Sequence, residues 1–123
     1  MLKLVDGVFL SAPAKYWGTP AEVIDEITGG CGPGGLGDYL VPDTVWRLSI
    51  FYPCRIHDFQ YHEGNTEQDK KIADETFLNN MIRVVKAKSK WSLLKKFRLL
   101  RCKRYYQAVH WFGGPAFWNN KEV

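Results

Sequence analysis

Cys54, His57, Asp58 and Tyr61 follow one another at intervals of three, one and three residues. On an α-helix that spacing puts all four on one face, because residues three and four apart are neighbours there. One stripe of a helix then carries a base, an anion and a phenol, which is a reactive surface and not a packing stripe. Upstream lies the glycine-rich run Gly29-Gly30-Cys31-Gly32-Pro33-Gly34-Gly35-x-Gly37. By position Cys31 pairs with Cys54, and a bridge requires Cα atoms within about 7 Å. If it forms, it holds the glycine loop against the reactive face, where loop carbonyls and the Asp58 carboxylate converge. Backbone carbonyls with one carboxylate and water are the hard oxygen donors that calcium prefers.

A chain of 123 residues makes one domain, residues 1–123, able to bury somewhat over 60% of its unfolded surface. Its apolar runs are too short and interrupted for a bilayer span, which needs about 20 residues. Met1 to Leu10 has Asp6-Gly7 inside its apolar stretch and no small-residue cleavage site, so it does not read as a signal peptide. Three cysteines are too few for a disulfide scaffold and allow one internal bridge, worth roughly 3 kcal/mol in an oxidising compartment. Cys102 is then the odd thiol, either a small buried hydrophobe or a site for intermolecular pairing.

Asp6-Gly7 between Leu2-Lys3-Leu4-Val5 and Val8-Phe9-Leu10-Ser11 predicts a β-hairpin. Thr19-Pro20-Ala21-Glu22 reads as a capping box opening a helix over about 20–28, with Val23, Ile24 and Ile27 inward. The stretch from Thr44 to Phe51 is open between helix and irregular chain. Pro53 suits the first turn of a helix running to about His62, and Gly64-Asn65 breaks the chain. A helix from about Glu67 to near Lys86 places Ile72, Phe77, Leu78 and Met81 inward. A further helix, about 91–111, has Leu94, Phe97, Leu100, Tyr105, Val109 and Phe112 at helical spacing, ending at Gly113-Gly114-Pro115 before an aromatic tail. Two helices joined at Gly64 can lie antiparallel, bringing Asp74 beside His57, where a carboxylate fixes the imidazole tautomer and stabilises its protonated form.

The loop Cys-Gly-x-Gly-Gly-x-Gly, the element Cys-x-x-His-Asp-x-x-Tyr and the later Ala73-Asp74-x-x-Phe77 together resemble secretory phospholipase A2, in its bacterial and viral branches. Leu40-Val41-Pro42-Asp43 and Phe112 to Trp118 also resemble a set of little-characterised phage and prophage proteins. The resemblance implies a mainly α-helical fold with an antiparallel catalytic helix pair, a glycine-rich calcium loop and a small β-hairpin. It further implies calcium-dependent hydrolysis of the sn-2 ester of glycerophospholipids. His57 is then the base that activates water, Asp74 orients it, and Tyr61 supports Asp74 by a hydrogen bond. Asp58 with the carbonyls of Gly30, Gly32 and Gly34 holds calcium, and the Gly32 amide is an oxyanion donor. The chain departs from the animal enzymes in having few cysteines and glycine in place of tyrosine before Cys31. The phage-like segments, with no secretion signal, point to a virion component or a product released at lysis. The alternatives are a phage structural or binding module that keeps the fold without the activity, and a phosphate-binding glycine nest.

The net charge of +4 conceals an asymmetry: residues 1–82 carry six Lys and Arg against twelve acids, whereas residues 83–104 carry ten Lys and Arg and no acid. The bland reading of this basic stretch is a solvated helix face. The sharper one is peripheral attachment to anionic lipid through Lys95, Lys96, Arg98 and Arg101, with Trp111, Phe112, Phe117 and Trp118 as interfacial anchors. Nucleic acid is the rival partner, since the same cations neutralise phosphates of either kind.

Overall fold

The computed structural model describes residues 1–28, 42–118 and 121, and in them the chain is mainly helical with two small antiparallel hairpins. The first hairpin pairs β1 (Leu2–Val5) with β2 (Val8–Ser11) in the register Val5 to Val8. Its turn residues Asp6 and Gly7 both have positive φ, 51° and 80°, as the expected two-residue turn requires. Short α1 (Ala14–Gly18) and α2 (Ala21–Thr28) follow. The expected capping box before α2 does not form. Thr19 instead closes α1, its hydroxyl donating to the Lys15 carbonyl at 2.6 Å, and Pro20 offers its carbonyl to the first amides of α2.

The segment left open by its pattern is a second hairpin, β3 (Thr44–Val45) and β4 (Leu48–Ser49), turning through Trp46 and Arg47. Then come α3 (Phe51–Glu63), α4 (Glu67–Lys88), α5 (Ser92–Phe112) and a last short α6 (Gly114–Trp118). Thr66 caps α4: its hydroxyl accepts from the Asp69 amide at 3.0 Å while Asp69 accepts from the amides of Asn65 and Thr66. The break at Gly64 lets α3 and α4 run antiparallel, so that His57 meets Asp74 and Phe77 while Tyr61 meets Asp74.

Three apolar clusters surround this pair. The first hairpin and the first two helices pack Val8, Leu10, Tyr16 and Ile24 on Ile56 and Phe59 of α3. The clasp is polar: the buried Asn80 amide of α4 exchanges two hydrogen bonds with the Ser11 backbone, each 2.8 Å. Behind α4, Phe77, Met81 and Val85 pack with Val45, Ile50, Cys102 and Val109. The third cluster is Tyr61, Ala73 and Phe117.

Several inward assignments are corrected. Val23 and Ile72 face solvent, while Ile24, Phe77 and Met81 are buried as expected. On α5 Val109 is buried as expected, but Phe97, Leu100 and Phe112 are exposed, and Arg98 and Cys102 point inward instead. Arg98 takes a core position because its guanidinium finds two acceptors, Ser89 Oγ at 3.1 Å and the Trp46 carbonyl at 2.9 Å, leaving its stem to pack.

Candidate active site

His57, Asp58 and Tyr61 lie buried in α3 with Cys54 half-buried one turn earlier. His57 is only 3% exposed and Asp74, facing it from α4, is 0% exposed. His57 Nε2 lies 2.8 Å from Asp74 Oδ1, and Tyr61 Oη donates to the same oxygen at 2.7 Å. The imidazole is gripped between two rings, stacked on Phe77 at a centroid distance of 4.6 Å and tilted against Tyr61 at 4.1 Å. Its plane is therefore fixed as well as its hydrogen bond.

The protonation states follow from these contacts. Burial opposes charge on Asp74, but hydrogen bonds from His57, Lys70 and Tyr61 outweigh it and hold the carboxyl below its ordinary range. Burial also pushes His57 down, and the Asp74 hydrogen bond and charge only partly offset that, with Lys70 adding to the depression. The pair is thus a neutral imidazole beside a carboxylate. Because an ionised carboxylate only accepts, the proton sits on Nε2 and Nδ1 keeps its lone pair. That is the arrangement of a base ready to accept a proton. Burial and then the Asp74 charge keep the Tyr61 phenol protonated, so it serves as a donor.

Lys70 completes the network and was not among the residues singled out from sequence. Its Nζ bonds Asp74 Oδ2 at 2.8 Å and the carbonyls of Val109 and His110 at 3.0 and 3.2 Å, which uses all three ammonium donors. Those carbonyls belong to the last turn of α5, the negative end of its dipole. The signal was present, since Lys70 stands four residues before Asp74 and that spacing pairs side chains on a helix. Gly113 follows directly. A Cβ there would sit 2.5 Å from Tyr61 Oη and meet the Val109 carbonyl, so the chain needs glycine where α5 passes the phenol.

A groove of about 440 Å³ opens on the far side, lined by Lys70, Lys71, Asp74, His110, Trp111 and Trp118. It reaches Asp74 and not the His57 imidazole. Of the expected calcium ligands, Asp58 is a buried carboxylate next to His57 in the chain, and as a hard oxygen donor it fits that ion. Gly30, Gly32 and Gly34, and the Cys31 partner expected for Cys54, lie outside the described residues. Among the described residues no group of three or more His, Cys, Asp or Glu gathers, a pattern that one carboxylate with backbone carbonyls does not require.

The expected lipid-facing residues divide. Lys96 and Arg101 are exposed, Lys95 is half-buried, and Arg98 is turned into the protein, so it is removed from that set. Trp111 is exposed, but Phe117 is fully buried with its ring edge-on to Tyr61 at 5.2 Å, and Trp118 packs on it at 4.8 Å. The aromatic tail folds back as α6 because Gly64 leaves space for the Phe117 ring, 2.7 Å from where a Cβ would be. Cys102 is a buried thiol whose pKa burial pushes up to about 11, which matches the small-hydrophobe alternative. No helix among the described residues is long and apolar enough to cross a membrane. Compared with protein-family models, with curated proteins and with solved structures, the chain matches none.

Proposed function

We propose that the protein is a phospholipase A2-like esterase that hydrolyses the sn-2 ester of glycerophospholipids with calcium, at a membrane surface. The observation that carries this reading is the bond between His57 Nε2 and Asp74 Oδ1, which frees Nδ1 as the base. The order of the glycine loop, the His-Asp element and the Asp74 helix in the chain supports it. His57 Nδ1 takes a proton from water as its oxygen attacks the ester carbonyl. Asp74 stabilises the imidazolium that forms, and Tyr61 and Lys70 keep the carboxylate in place. The imidazolium then returns the proton to the departing glycerol oxygen, giving a fatty acid and a lysophospholipid. Asp58 with the carbonyls of Gly30, Gly32 and Gly34 would hold calcium, which when bound would supply Lewis-acid polarisation of the ester carbonyl and positive charge for the phosphate.

The experiment is release of free fatty acid from phospholipid vesicles with calcium and with a chelator. The expected result is calcium-dependent release that His57→Gln abolishes while calcium binding persists. Calcium-independent release, or a fully active His57→Gln variant, would refute the mechanism. A second reading, a non-enzymatic phage structural or binding module, is favoured by the saturation of the network: both Asp74 oxygens are bonded and His57 is buried, as a structural polar core would also require. Calcium binding without hydrolysis would select it.

A further inference from the structure

We propose that the outward face of α5, together with the Trp46-Arg47 tip of the second hairpin, is a docking surface for an anionic lipid bilayer. Along α5 the residues Leu93, Phe97, Leu100, Arg104, Gln107 and Trp111 succeed one another at steps of four and three, and all are exposed. They form one continuous stripe, about 27 Å long at the rise of an α-helix. Its apolar members are large and open to solvent: Leu93 65%, Phe97 43%, Leu100 53% and Trp111 71% exposed. Lys96 and Lys103 flank one side and Arg101 the other, and α5 contains no acid.

The hairpin tip is an independent observation. Trp46 and Arg47 form a two-residue turn with φ of 47° and 68°, a conformation that favours Asn-Gly and that side chains of this size rarely adopt. It is held from α5: Arg98 Nη2 donates to the Trp46 carbonyl at 2.9 Å, and the Trp46 ring stacks on Phe97 at 5.6 Å with the planes 8° apart. Even so held, Trp46 remains 47% exposed. A strained turn thus displays a tryptophan and an arginine beside the apolar stripe, and strain kept in this way marks a surface that is used.

The occupant follows from charge and shape. A second copy of this chain docked on the same stripe would set lysine and arginine against lysine and arginine. A polynucleotide would meet cations, but Leu93 and Leu100 offer it neither charge nor a stacking face, and Trp46 and Phe97 already stack on each other. An anionic bilayer takes both parts, with leucine and tryptophan side chains in the acyl boundary and basic residues among the headgroups. This inference is independent of catalysis and is tested without turnover.

The experiment is co-sedimentation of His57→Gln protein, in chelator, with phosphatidylcholine vesicles that contain or lack phosphatidylserine. Binding is expected only to the anionic vesicles and is expected to weaken with salt. The Leu93→Ser, Leu100→Ser double variant and Trp46→Ala should each weaken it on the order of tenfold, with circular dichroism unchanged because these side chains are exposed. Lys71→Ala, a cation on α4, should bind as the parent does. Equal binding to both vesicles, or surface variants that bind like the parent, would overturn the proposal. So would loss of single-stranded oligonucleotide binding, or of a concentration-dependent dimer, in variants whose vesicle binding persists.

Discussion

Lys70 Nζ lies 2.8 Å from Asp74 Oδ2, the oxygen that neither His57 nor Tyr61 touches. The buried carboxylate is thereby bonded on both oxygens, and its charge is met by an ammonium one turn away on the same helix. Lys70→Met should leave that charge uncompensated and lower the unfolding free energy by about 3 kcal/mol, read from denaturant midpoints. An unchanged midpoint would mean that Asp74 draws nothing from Lys70.

Acid should destabilise the protein in two stages. His57 is held below its ordinary value, so the unfolded chain binds its proton first, and stability should begin to fall as pH drops below about 6.5. Asp74 is depressed as well; its contribution, present above the unfolded carboxyl value of about 3.9, should be lost as pH falls further toward its folded value. Unfolding measured from pH 8 to 3 should therefore show an upper slope that His57→Gln removes. A profile flat between pH 7 and 5 in the parent protein would contradict the buried neutral imidazole.

Two adjacent glycines should answer differently to one methyl group. Gly113→Ala would push against Tyr61 Oη and the Val109 carbonyl, whereas a Cβ on Gly114 meets nothing within 4 Å. The first should cost about 1–3 kcal/mol and reduce the proposed esterase turnover by displacing the phenol from Asp74. The second should melt close to the parent, and equal behaviour of the two would deny the close approach.

Asp58→Asn should weaken calcium binding severely in a calorimetric titration while the helical circular dichroism of α3 persists, because it removes the one charged donor assigned to the ion. Asp74→Asn should lower turnover less than His57→Gln does, since it supports the base without replacing it. Unaltered calcium affinity in the first variant would move the ion elsewhere.

The site was legible where its residues sit close in sequence. The helical spacing from His57 to Tyr61 and the break at Gly64 sufficed to bring Asp74 to His57, because a helix and a reversal fix which residues face each other. For Lys70 the spacing of four to Asp74 is a local signal, whereas its anchorage to the end of α5, 39 residues away, is one that no local pattern reveals. The phase of α5 is hidden for a physical reason: leucines occur on both its sides, Leu93 and Leu100 exposed but Leu94 and Leu99 half-buried, and an arginine fills a core position. Phe117 likewise reads from sequence as an exposed anchor because nothing near it in sequence shows the space beside Gly64. The strained turn at Trp46 lacks the glycine that announces such turns, so only backbone angles disclose it.

The Asn80 clasp bears on the order in which the molecule assembles. It joins residues 69 apart, whereas the His57 and Tyr61 bonds to Asp74 span 17 and 13. Closing a short loop costs less chain entropy and happens sooner. On this ground the helical pair should close before the amino-terminal hairpin, itself a local structure, docks on α4 and is locked there by Asn80.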